Sequence, residues 1–412
     1  MLLTEFQELI RNRENSGVEF KRDDVHPDSL AKEISALLNL EGGYILLGVE
    51  DDGTVSGLTR TPDDAETWVM NVCRNSLQPA IIPYWETIAW DAAQTVGVIS
   101  LPADSPDKPY KAKRGTAWVT FVRVGSTSRE ATREEEARLY QSSGLIRYDI
   151  KPALGSDLAD LDRRRLESYF RDIRQQDYPA PDDEAGWRRL LLNTDLMVEE
   201  RGRAIPTIGA VLLFGRQPNR FLPQAGISAV AYPGTEKDYA ARERATLRGA
   251  AIALRTATGE IIENGVIEQA IDFVRRNTVI ESAIDDSGQR QDRWRDYPLE
   301  AIREVVVNAI AHRDYAIGVT DIELSLYADR LEVISPGRLT NTVTVEKMKF
   351  GYRAARNELV KEILRDYRYV EASGLGVPRK IIRGMREHNG TEPDLIEEDD
   401  RFIVRLWREK RS

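Results

Sequence analysis

Apolar and polar positions alternate in a way that divides the chain into recognisable elements. Residues 3 to 13 place Phe6, Leu9 and Ile10 on one stripe, with Thr4 and Gln7 as a capping box, so a helix is expected. From Glu14 to Gly53 the pattern changes twice. Gly17 opens a short alternating run in which Val18 and Phe20 face opposite to Glu19 and Lys21. Leu30, Ile34, Leu37 and Leu38 then form a helical stripe, capped by Asp28 or Ser29 and stopped at Gly42-Gly43. Tyr44 to Val49 is a buried-strand run that ends in Glu50, Asp51, Asp52 and Gly53. This strand–helix–strand order brings Glu19 and Asp51 toward neighbouring strand ends.

Further along, Asp63 to Ser76 predicts a helix, and Trp85 to Trp90, Thr95 to Leu101 and Ala117 to Val124 predict strands. Leu161 to Ile173 and a segment around Trp187 to Met197 predict helices, Thr207 to Phe214 and Ile227 to Tyr232 buried strands, and Gly249 to Asn277 a mostly helical stretch broken near Gly265. Pro298 opens a strong amphipathic helix. Ile302, Val305, Val306, Ala309 and Ile310 form its core stripe, and Glu304, Asn308 and His312 stand four apart on another face. Two strands follow, Asp321 to Tyr327 and Arg330 to Ile334, with a last strand at Phe402 to Trp407.

The 412 residues suggest two or three domains, and 41% hydrophobic content is ample for their cores. No apolar run reaches the roughly 20 residues needed to span a bilayer, and no basic-then-apolar leader is seen, so a cytoplasmic protein is expected. A single cysteine, Cys73, and three scattered histidines exclude an internal disulfide and a Cys/His zinc site. The net charge of -10 argues against a nucleic-acid coat over the whole surface. Locally, Lys108, Lys111, Lys113, Arg114, Arg123 and Arg129 occur with no acidic residue between the first and last of them. They offer either a groove for a phosphate backbone or a solvated hairpin.

Glu14, Glu19 and Asp51 form the first chemical constellation. Clustered carboxylates need a counter-charge, and Mg²⁺ or Mn²⁺ is the usual one; the chemistry that such a site supports is phosphodiester cleavage. The bland alternative is a set of solvated turn residues. Glu14, Glu19, Phe20 and Lys21, followed by Gly42 to Asp51, resemble the Schlafen-like AlbA-type domain. That resemblance implies a metal-dependent RNA-cutting triad at Glu14, Glu19 and Asp51, although many prokaryotic members are described only as DNA-binding. Beside such a site Lys21, Lys108, Lys111, Lys113, Arg114 and Arg123 are the candidates to contact nucleic acid.

The second constellation is Glu304 to Tyr315, then Ser335-Pro336-Gly337, then Gly374-Leu375-Gly376. Glycine turns ahead of helix N-termini suit phosphate. The order resembles the GHKL-type ATPase fold. This implies ATP as ligand, Glu304 as the base for attacking water, Asn308 as the Mg²⁺ holder, and His312, Ser335, Gly337, Gly374 and Gly376 around the nucleotide. Where well-known members have an aspartate reading the adenine amine, this chain has Ser335. No G-x4-G-K-[S/T] loop supports a helicase motor, and the end of the chain at Ser412 is expected to leave no room for a winged-helix tail.

An α+β protein follows, with a Schlafen/AlbA-like domain at 1–145, an α/β connecting region at 146–290, and a GHKL-type α/β sandwich at 291–412. Two functions remain open. One is a nucleotide-gated metal-dependent endonuclease, acting on RNA or tRNA in stress or phage defence. The other is a non-catalytic, ATP-responsive DNA-binding regulator. A homo-oligomer that lines a channel with its basic face is a further expectation.

Overall fold

The computed structural model describes the chain except residues 103–106, 144–146, 285–289, 295, 319, 340–342, 353–354, 371–374, 399 and 409–412. It is an α+β protein with two compact units, Met1–Ile146 and Arg147–Ser412.

The first unit opens with α1 (Leu3–Arg11), β1 (Val18–Lys21), α2 (Pro27–Asn39) and β2 (Gly43–Leu47). The strand–helix–strand reading holds: β1 and β2 pair in parallel, with Glu19 opposite Ile45. Both caps differ from expectation. Leu2 N–H donates to the Glu5 carboxylate at 2.7 Å, and His26 Nδ1 accepts from Asp28 N–H at 3.3 Å. Gly42 ends the α2 run because φ of +71° suits glycine, and its N–H reaches back to Leu37 O. Next come α3 (Pro62–Asn75), β3 (Leu77–Gln78), β4 (Tyr84–Ala89), β5 (Thr95–Leu101), β6 (Lys111–Arg114), β7 (Ala117–Val124), β8 (Thr127–Glu130) and α4 (Arg133–Ser142).

Two sheets result, in the orders β1-β2-β5-β4 and β3-β6-β7-β8. Alternation splits the first sheet's apolar residues between two cores. Val18, Phe20, Leu46 and Val98 pack with Phe6, while Ile45, Leu47 and Ile99 pack with Leu30, Ile34 and Phe121. Buried Asn39 joins α2 to the second sheet by donating to Tyr110 O and Phe121 O, both at 2.8 Å.

The second unit contains α5 (Arg163–Ser168), continued by a π-turn to Ile173, then α6 (Glu184–Asn193), β9 (Met197–Glu200), β10 (Arg203–Pro206) and α7 (Ile208–Phe214). Here the expected strand at Thr207 to Phe214 is instead a helix, capped by Thr207, whose hydroxyl accepts from Ala210 N–H. A short run of continuous apolar residues does not distinguish a buried strand from a buried helix. The chain continues through β11 (Ile227–Ala231), β12 (Glu243–Leu247), β13 (Leu254–Arg255), β14 (Ile261–Glu263) and α8 (Val266–Asn277). The helical expectation for Gly249 to Asn277 therefore holds only for its second half.

The remaining elements are β15 (Ile280–Ile284), β16 (Arg290–Trp294), α9 (Leu299–His312), β17 (Ile322–Leu326), β18 (Arg330–Pro336), α10 (Val345–Lys349), α11 (Glu358–Asp366), a π-helical turn Gly376–Arg383, α12 (Gly384–Asn389), β19 (Asp394–Glu398) and β20 (Arg401–Trp407). The main sheet runs β12-β11-β17-β18-β20-β19, so the segment before residue 290 supplies two of its strands. The strands β11 and β17 are parallel, and the other pairs are antiparallel. Ile302, Val305, Val306 and Ile310 of α9 join the core with Leu324 and Val333 of this sheet.

Candidate functional site

In the first unit, Glu19 lies almost wholly inside the protein, 4% exposed. One carboxylate oxygen accepts from Lys21 Nζ, and the other accepts from Arg123 Nη1 at 2.5 Å. Arg123 extends from β7 with its side chain fully buried and also donates to Asn15 O at 2.7 Å and Val18 O at 3.0 Å. Its Nη1 reaches Glu33 at 3.3 Å, and Ser128 Oγ donates to the same Glu33 oxygen at 2.5 Å. Desolvation is the largest influence on Glu19, and it raises the carboxyl above its ordinary range despite the two cations.

Glu14 instead binds the strand that follows it, accepting from Phe20 N–H of β1 at 2.9 Å. Asp51 sits in an exposed turn closed by Gly53 N–H on Glu50 O at 2.8 Å. Among the described residues no group of three or more His, Cys, Asp or Glu is placed to hold a metal ion. With both oxygens of Glu19 engaged by cations, Glu14, Glu19 and Asp51 do not fit a shared divalent ion in this arrangement. Glu33, Ser128 and Asn15 are members of the network that sequence reasoning missed, because their spacing follows no motif.

Most of the basic set is neutralised. Lys108 is buried and donates to Leu40 O at 2.5 Å. Lys111 pairs with Glu136 at 2.8 Å, Arg114 with Glu130, and Arg129 with Glu135 at 2.7 Å. Counting charge along the run missed these acids, because they lie outside it in sequence. Lys113 remains exposed, and its ammonium has no partner among the described residues.

In the second unit, a cavity of about 130 Å³ is lined by Glu304, Asn308, His312, Ser335, Gly337 and Gly376, among others. Gly374 lies outside the described residues. Glu304, 4% exposed, accepts from Asn308 Nδ2 at 3.1 Å and lies 3.6 Å from Lys380 Nζ. The i,i+4 spacing on α9 makes the first contact possible. Ser335 Oγ donates to Ala309 O at 2.9 Å, so this hydroxyl joins β18 to α9. Gly337 has φ of +115°, and a Cβ there would stand 2.6 Å from Asp314 Cβ. A Cβ on Gly376 would stand 1.9 Å from a Glu304 oxygen.

Asn357 donates to Ala311 O and Arg313 O, satisfying carbonyls at the end of α9. Arg356 pairs with Asp314 at 3.1 Å, and its buried Nε has no hydrogen-bond partner among the described residues. Burial first, then the charges of Lys361 and Arg356, push His312 down to about 4, so its imidazole is neutral at pH 7. Met348, Tyr352 and Phe402 add apolar wall. Lys380 escaped the sequence reading because the fold, not the chain order, brings it to Glu304.

Residues 14–132 match the family model described as "Schlafen, AlbA_2", and residues 320–406 match "Putative ATP-dependent DNA helicase recG C-terminal". The first match contains Glu14, Glu19, Asp51 and the basic set; the second begins after α9 and its Glu304, Asn308 and His312. Together these domain types mark a nucleic-acid-related, ATPase-like protein. No curated protein matches the chain. The crystal structure of the DIP2311 protein from Corynebacterium diphtheriae aligns over 99% of this chain and 80% of its own, at 18% identity and a TM-score of 0.44. The solution structure of the N-terminal domain of a "Putative ATP-dependent DNA Helicase RecG-related Protein" from Nitrosomonas europaea covers 32% of this chain and 90% of its own, at 24% identity and a TM-score of 0.24. Among the described residues no helix is long and apolar enough to cross a membrane.

Proposed function

We propose that this chain, which carries a Schlafen AlbA_2 domain ahead of a recG C-terminal domain, is an ATP-responsive nucleic-acid binder. The observation that carries the nucleotide half is the convergence of Glu304, Asn308, Ser335, Gly337 and Gly376 on one cavity. Both glycines there are crowded by the protein itself, Gly337 by Asp314 and Gly376 by the end of the Glu304 side chain. The partnerless Nε of buried Arg356 suits an anionic group. Met348, Tyr352 and Phe402 offer apolar surface to a base. In this reading Asn308 holds Mg²⁺ or Mn²⁺, and Glu304 orients and deprotonates water. The Ser335 hydroxyl donates to Ala309 O, which leaves its oxygen lone pairs to accept from an adenine amine.

Titration with ATP, with and without Mg²⁺, tests this by calorimetry. Saturable heat that is weakened in Asn308→Ala, with phosphate release lost in Glu304→Ala, is the expected result. Absence of both heat and phosphate release overturns the nucleotide reading.

For the first unit, the engagement of Glu19 by Lys21 and Arg123 favours binding over cutting. Metal-dependent cleavage of RNA or tRNA, in stress or phage defence, would require Glu19 to exchange those cations for a metal ion. Incubation with a mixed nucleic-acid pool and Mn²⁺ separates the two readings. Degradation by the wild type that is lost in Glu19→Gln would replace the binder with the nuclease.

A further inference from the structure

The hairpin of β6 and β7 presents an aromatic residue and cations on one face. Residues directly opposite in an antiparallel pair share a face, as do residues two apart along a strand. Lys113 is opposite Trp118, Lys111 opposite Thr120, and Val122 opposite Arg129. Lys111, Lys113, Trp118 and Arg129 therefore lie on the same side of the sheet. The other side, with Ala112 and Phe121, is buried in the core against α2.

Trp118 is 42% exposed, a large apolar area to leave in water. Its cross-strand neighbour Lys113 is exposed and without a partner among the described residues, at a Cβ separation of about 5 Å for such a pair. The turn beyond them is open, with nothing within 4 Å of where a Gly115 Cβ would stand. Farther along the same face, α4 presents carboxylates to the other cations: Glu136 to Lys111 and Glu135 to Arg129.

We propose that this face, centred on Trp118 with Lys113 beside it, binds single-stranded nucleic acid. The inference rests on the reading of the chain as a nucleic-acid binder and locates the contact. A base stacks on the indole, and the flanking phosphate meets the Lys113 ammonium. The occupant is a single strand because a base must be unstacked from its neighbours to lie flat on a side chain. Stacking of this kind tolerates any base, since every base has a π-face. The positive charge beside the ring complements the backbone and excludes a neutral apolar peptide as the best-matched ligand. The carboxylates of α4 hold Lys111 and Arg129 away from phosphate, so Lys113 carries the electrostatic contact.

The test uses the full-length protein and a fluorescein-labelled oligothymidylate, followed by anisotropy over a range of salt. Wild type is expected to bind, Trp118→Ala to weaken binding about 10-fold, the stacking contribution of one base, and Trp118→Tyr to retain it. Lys113→Ala should flatten the dependence of affinity on salt. Trp118 is exposed, so all three variants should melt as the wild type does. If wild type binds and Trp118→Ala binds equally well, this site is wrong while the nucleic-acid reading stands. If wild type binds neither this oligomer nor other single or double strands, the underlying reading falls and this site with it.

Discussion

Arg123 donates to Glu19 at 2.5 Å with neither side chain more than 6% exposed, and the same guanidinium reaches Glu33 at 3.3 Å. One cation thus serves two carboxylates inside the protein. Removing Arg123 leaves Glu19 with Lys21 and Glu33 with Lys32 as their remaining counter-charges, each less buried than the guanidinium. Arg123→Met should therefore cost about 3–5 kcal/mol of stability, read by urea denaturation. Adding Glu19→Gln and Glu33→Gln should recover much of the loss, since the two buried carboxylates are then neutral. An Arg123→Met protein as stable as the wild type would show the network to be dispensable.

The two glycines of the second unit's cavity should respond differently to alanine. At Gly337 the new Cβ would meet Asp314 Cβ at 2.6 Å, and φ is +115°. Neither the position of Asp314 nor the backbone angle relaxes cheaply, so Gly337→Ala should lose at least about 1–3 kcal/mol. At Gly376 the clash is with the end of the Glu304 side chain, which can rotate away. Gly376→Ala should melt within a few degrees of the wild type yet lose nucleotide response, because the carboxylate it displaces belongs to the cavity. Melting curves with and without ATP distinguish the two outcomes; equal thermal losses in both variants would contradict this account.

His312 gives the second unit a dependence on acidity. Burial lowers its folded-state pKa to about 4, below the ordinary 6.5, so the unfolded chain binds this proton more readily. The histidine contribution to stability is complete above pH 6.5 and declines as pH falls toward 4. The integrated loss is up to about 3 kcal/mol. His312→Gln should have a flatter stability profile between pH 6.5 and 4 than the wild type, compared by denaturant midpoints. Parallel profiles would show that the imidazole is not kept neutral by the fold.

The parallel pairing of β1 with β2 was legible because two strand-like runs flanked a helix stripe, and that order allows few arrangements. That Glu304 and Asn308 neighbour each other on α9 was legible from their spacing. Spacing alone suited a solvated helix face equally well, and only the downstream glycine turns pointed to a site. Charge was not legible. The run from Lys108 to Arg129 contains no acid, yet Glu19, Glu130, Glu135 and Glu136 close on it from outside. Proximity in three dimensions decides electrostatics, and a linear count does not record it. Thr207 carried a usable cap signal for α7, but the seven apolar residues after it suited a buried strand equally well.

Cys73 offers a probe of the first unit that depends on none of the proposed functions. It lies on α3 with no exposed surface, packed with Val69, Leu77 and Ile99, and burial pushes its thiol up to about 12. Thiol reagents attack the thiolate, which is scarce at pH 8 when the pKa stands that high, and access is blocked as well. Native protein should therefore react with Ellman's reagent only as fast as the first unit opens, whereas urea-unfolded chain should react at the rate of an ordinary cysteine. Because this is the only cysteine in the sequence, the signal reports one unit alone. Applied to Arg123→Met, the same measurement should show faster labelling in step with its lost stability. Rapid labelling of the native wild type would mean that the core around α3 is open to solvent.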